Sequence, residues 1–127
     1  MVRNMPKPLL SDIGHIVVPV RDMDQALRFY RDLLGFTVEG KGNAAWTVIA
    51  IGGQRLSLYR QKEFAPVAFG PAGEGTPFNF HVEDFGRAAE FLSSKGVRVK
   101  REDEHSGVIW DPSGNVLGLH DHLEPER

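Results

Sequence analysis

Residues 13–38 read IGHIVVPVRDMDQALRFYRDLLGFTV, a strand, a helix and the start of a second strand in one run. Ile13 to Val20 is apolar at both parities apart from His15, the pattern of a strand covered on both faces. Asp22 stands where a helix N-cap belongs, with Gln25 three residues on as its capping partner. Ala26, Phe29, Tyr30, Leu33 and Leu34 then follow at the i, i+3, i+4, i+7, i+8 spacing of one helix face, and Gly35 falls at the left-handed position that closes a helix. The spacing predicts a helix over residues 23–34.

The chain outward from this stretch continues in the same key. Residues 1–10, with Pro6 and Pro8, read as an arm. After Gly35 a strand begins, Lys41-Gly42-Asn43 turns it, Trp46 to Ile51 forms the next strand, and Gly52-Gly53 makes a tight turn into Arg55 to Tyr59. The order is β-α-β-β-β. Residues 61–76, with Pro66, Pro71, Gly70, Gly73 and Gly75, read as a linker, and Phe64, Val67 and Phe69 equip it to close over a ligand as a flap.

From Pro77 the pattern returns, first at an offset of 62 and then of 61. Val20 matches Val82, Asp22 matches Asp84, Ala26 matches Ala88 and Phe29 matches Phe91. Gly35 then matches Gly96, Val38 matches Val99, Gly53 matches Gly114, and Leu56 and Leu58 match Leu117 and Leu119. Caps, stripe and turns repeat together, so the second half is a copy of the first. The fold class expected is α+β, two tandem βαβββ modules at about 11–60 and 77–121 in a single domain.

Composition bounds the function. A chain of 127 residues, 41% hydrophobic and 25% charged, suits one globular domain. A net charge of -2 with both signs interspersed offers no basic stripe for nucleic acid. Without Cys there is no disulfide, no thiolate metal site and no Cys nucleophile. No apolar run approaches the ~20 residues of a membrane helix, and Met1 to Leu10 lacks the apolar centre of a signal peptide, so a cytoplasmic protein is the expectation. No nucleophile elbow, Walker loop or GxGxxG is present.

GHIVVPVRDMDQALRFYRDLLGF, with FHVEDFGRAAEFLSSKGV and DPSGNVLGLHD, resembles the vicinal oxygen chelate superfamily of glyoxalases, bleomycin-resistance proteins, fosfomycin-resistance thiol transferases and extradiol dioxygenases. The resemblance implies curved sheets around a cleft, helices outside, and a homodimer. It also implies metal ligands on the first and last strands of each module, which in this chain are His15, Ser57, Pro77 and Gly118. Only His15 is a ligand type, whereas an open divalent site needs about three His, Asp or Glu donors. The expectation is therefore no metal and no other cofactor.

Strand alternation puts Arg55, Ser57 and Tyr59 on one face, as it does Pro77, Asn79 and His81, and Val116, Gly118 and His120. His15, Trp46, Ser57, Tyr59, Asn79, His81 and His120 are thus the candidate ligand-binding residues, with no catalytic residue assigned. Plainer roles stand beside these: the histidines as hydrogen-bonded core residues, Trp46 packed under an edge loop, Trp110 in the core, His105 solvated, Glu83 and Asp84 capping the second helix, and Asp111 to Gly114 as a turn. The function expected is a bleomycin-resistance-like protein that holds a small, partly apolar molecule. The alternative is an enzyme, a lyase, isomerase or dioxygenase with a metal displaced onto His15 and His120, or with His81 or His120 as general base. A third possibility is a module for protein association.

Overall fold

Two four-stranded mixed sheets, each backed by one helix, make up the α+β architecture in a computed structural model that describes residues 9–10, 14–61, 63 and 79–121. The expected flap, Pro77 and His122 lie outside the described residues. The first module runs β1 (Ile16–Val20), α1 (Met23–Leu27), a π-helical turn (Arg28–Leu33), β2 (Thr37–Glu39), β3 (Trp46–Ile51) and β4 (Gln54–Arg60). The second runs β5 (Asn79–His81), α2 (Phe85–Ser94), β6 (Val99–Arg101), β7 (Ser106–Trp110) and β8 (Val116–His120). Strand orders are β1-β4-β3-β2 and β5-β8-β7-β6, with the first strand of each module parallel to the last and the other pairs antiparallel. Neither sheet closes into a barrel.

The Asp22 and Asp84 caps read from the sequence form as expected. Asp22 Oδ1 accepts from the Gln25 amide at 2.9 Å and Asp84 Oδ1 from the Arg87 amide at 3.1 Å. Gly35 and Gly96 end their helices at φ +89° and +87°, a backbone conformation that costs glycine nothing. Behind each sheet the helix stripe meets the even-numbered strand residues: Val18, Val20, Leu56, Leu58, Met23, Ala26, Phe29 and Tyr30 are all buried in the first module.

Three features depart from the sequence reading. The first helix is not α throughout: its Leu34 amide bonds five residues back to the Phe29 carbonyl, at 2.9 Å. Asp22 to Gly35 holds one residue more than Asp84 to Gly96, and the wide turn absorbs it. The second helix, α without interruption, buries Phe85, Ala89 and Leu92 instead of the expected Ala88 and Phe91 stripe, leaving Phe91 49% exposed. β1 is covered on both faces only over Val18 to Val20, while Ile16 and Val17 are exposed.

Candidate functional site

The face of the first sheet turned away from its helix is set by register. Val17 pairs with Ser57 and Ser57 with Val48, and Trp46 pairs with Tyr59, so these residues form rows across β1, β4 and β3. Ser57 is fully buried, and its hydroxyl hydrogen-bonds Nδ1 of His15, just ahead of β1. Trp46 stands between His15 and Tyr59, with ring centroids 5.9 Å and 5.2 Å away. Its backbone is fixed by Asn43, whose Oδ1 accepts from the amides of Ala45 and Trp46 at 2.8 Å each. Trp46 and Tyr59 remain 36% and 38% exposed, so the pair presents ring surface to solvent above a buried polar floor. Farther along the same face Arg55 and Glu39 form an ion pair of 2.7 Å.

The second group lies in the other module. His120 Nδ1 is 2.7 Å from Asn79 Oδ1, and the His81 and His120 rings are 5.6 Å apart. The structure thus brings His15, Trp46, Ser57 and Tyr59 together, and separately Asn79, His81 and His120; no hydrogen bond or ring contact joins His15 to His120.

Sequence reasoning missed the joint between the modules. Asp111, in the β7–β8 turn, is 4% exposed and its carboxylate takes four hydrogen bonds. Oδ1 accepts from the amides of Ser113 at 2.9 Å and Asn115 at 2.8 Å; Oδ2 accepts from the Tyr30 hydroxyl at 2.6 Å and Asn115 Nδ2 at 2.8 Å. Asn115 Nδ2 also donates to the Pro19 carbonyl at 2.8 Å, and the Arg21 amide donates to Ser113 Oγ at 2.9 Å. Burial, and then the Asp111 carboxylate, push the Tyr30 hydroxyl well above the ordinary tyrosine range. The turn was legible; its burial against Tyr30 was not.

Two outlying residues also differ from expectation. His105 is half-buried, with Nδ1 2.7 Å from Asp121 Oδ1, while Asp121 Oδ2 accepts from the first amide of α2 at 2.8 Å. Trp110 is half-buried, with the Arg98 guanidinium stacked 3.9 Å from its ring centroid.

Among the described residues no group of three His, Cys, Asp or Glu side chains assembles to hold a divalent metal. Gly118, at one of the four positions the resemblance points to, is buried and has no side-chain donor.

A model of the Glyoxalase/Bleomycin resistance protein/Dioxygenase superfamily matches residues 12–119. The chain belongs to that superfamily. Among its relatives, glutathione transferase FosA of Serratia marcescens is 25% identical over 118 residues, spanning 88% of this chain and 82% of that protein. Virulence protein STM3117 of Salmonella typhimurium is 29% identical over 123 residues, spanning 87% and 84%. Metallothiol transferase FosB of Staphylococcus epidermidis is 24% identical, spanning 87% and 82%. Among solved structures, the glyoxalase family protein from Enterococcus faecalis superposes with a TM-score of 0.67 at 21% identity, covering 90% of this chain and all of that one. Lactoylglutathione lyase from Agrobacterium tumefaciens superposes at 0.64 with 22% identity, covering 90% and 96%. These superpositions establish the paired-module fold of the superfamily, a scaffold on which unrelated chemistries occur. No helix among the described residues is long and apolar enough to cross a membrane.

Proposed function

We propose that the protein binds a small, partly apolar molecule without a divalent metal, using His15, Trp46, Ser57 and Tyr59 from one module and Asn79, His81 and His120 from the other. The observation that carries this reading is the exposed Trp46–Tyr59 ring pair beside His15, above the buried Ser57. Aromatic walls with a few placed polar groups suit recognition by shape and hydrogen bonding. The relatives named as transferases favour metal-assisted chemistry instead, which needs about three protein donors around one ion; the described residues do not gather them.

Thermal-shift measurements with and without EDTA, paired with elemental analysis of protein purified without added metal, test the reading. The melting temperature should not change on chelation, and no stoichiometric metal should be found. A fall on chelation, restored by adding back a divalent ion, overturns the metal-free reading. The same reading takes a second copy of the chain as the cover for Val17, Trp46 and Tyr59, all exposed on one face. Light scattering at micromolar concentration should give the mass of a dimer; a monomer contradicts that part.

A further inference from the structure

The duplication allows one joint to be compared with another inside the same chain. Where α1 and the end of β1 meet the β7–β8 turn, hydrogen bonds from Tyr30 to Asp111, from Asn115 to Pro19 and from Arg21 to Ser113 close the contact. At the offsets of 62 and 61 that relate the modules, the counterpart positions are α2 and the end of β5 on one side and the β3–β4 turn on the other, and these segments line one cavity. There Leu92 replaces Tyr30, Ala50 replaces Asp111, Gly52 replaces Ser113 and His81 replaces Pro19. The substitutions remove the hydroxyls and the carboxylate that close the first joint.

At this second joint lies a cavity of about 550 Å³, walled by Phe36, Ile51, Phe80 and Phe91, with Asn79 and His81 on its lining. Its size falls within the ~300–1,000 Å³ of small-molecule sites. Ile51 and Phe91 are 46% and 49% exposed, apolar surface that an occupant of the cavity takes out of water.

The polar lining is as specific as the apolar wall. His15, His105 and His120 each engage a hydrogen-bond partner through Nδ1, whereas the His81 ring contacts the His120 ring and, among the described residues, makes no side-chain hydrogen bond. With His120 donating to Asn79 Oδ1, the Asn79 amide nitrogen keeps its N–H donors for another acceptor. We propose that this cavity binds a small molecule with an apolar, ring-sized body and a hydrogen-bond-accepting head, a carboxylate or a ketone. The body lies against Phe36, Phe80 and Phe91 on the helix side of β5, and the head reaches round this edge strand to Asn79 and His81, whose side chains alternate to its other face. The proposal rests on the reading that the protein takes a small molecule without a metal, and it gives a ligand class to the Asn79 and His81 end of that site.

Titration calorimetry with naphthalene carboxylate, acetylnaphthalene and ethylnaphthalene tests it on the full chain. The two probes with an acceptor head should bind at least tenfold more tightly than ethylnaphthalene. His81→Ala should weaken both by about tenfold. Ala88→Phe, which fills the cavity from α2, should abolish binding, and Ile51→Asp at the exposed rim does the same without touching the core. Lys100→Ala, an exposed change on β6 away from the cavity, should leave these affinities within twofold. If Trp46→Ala abolishes binding while Ala88→Phe and Ile51→Asp do not, the cavity proposal falls and the sheet-face reading stands. Equal affinity for all three probes removes the acceptor-head claim, and no binding at millimolar concentration overturns the site.

Discussion

Replacing Tyr30 with Phe deletes one oxygen atom from the joint between the modules and nothing else. Tyr30 is fully buried and its hydroxyl donates to the Asp111 carboxylate at 2.6 Å, so no water can take its place without repacking. Asp111 keeps three other donors, from Ser113 and from the amide and side chain of Asn115, and its carboxylate is left short by one. Hydrogen bonds to charged groups contribute ~1.5–3 kcal/mol, and stranding one partner forfeits that contribution. Tyr30→Phe should therefore lose about 2 kcal/mol in urea unfolding, with the midpoint lowered at unchanged m, and roughly 6–10 °C in melting temperature. A double-mutant cycle with Asp111→Asn should return a coupling on the order of 1–3 kcal/mol. A loss below ~0.5 kcal/mol with no coupling refutes the account of this carboxylate as the tie between modules.

The same residue sets an alkaline limit. Because the folded Tyr30 holds its proton well above the usual value, the folded state binds more protons than the unfolded one once the pH exceeds ~10, so stability falls as the pH rises further; Tyr30→Phe should show a shallower fall in a pH series of urea midpoints. Gly107→Ala should destabilise by at least ~1–3 kcal/mol, since its Cβ would meet the Lys100 carbonyl oxygen and lie 2.7 Å from the Phe85 ring; a fully stable variant by urea unfolding contradicts the packing of α2 on β7. Asp84→Ala removes the acceptor of the Arg87 amide and should cost about 1 kcal/mol by the same measurement.

Local signals carried most of the fold. Caps, glycines at helix ends, alternation and the Gly52-Gly53 turn each act over a few residues, and Trp46 to Ile51 forms β3 as read. What escaped depends on partners far apart in the chain. An Asp-Pro-Ser-Gly turn reads alike in solvent or under Tyr30, which lies 81 residues from Asp111. His105 in a charged stretch looks solvated until Asp121, 16 residues on, is folded against it. The wide helical turn did leave a trace, the change of offset between Phe29–Phe91 and Gly35–Gly96, because an inserted residue shifts every later match by one. In the candidate site, parity placed Ser57 with Tyr59 and Asn79 with His81. It could not show that His120 would turn to Asn79 and His15 to Ser57, because rotamers and sheet curvature decide those contacts.

The Tyr30–Asp111 joint has a consequence for how the halves know each other. A chain made of two first modules would offer two tyrosines and no carboxylate to receive them; one made of two second modules would offer carboxylates facing leucine. Only unlike halves complete the buried handshake at Asp111, so the two copies of one pattern now carry complementary parts of a single joint.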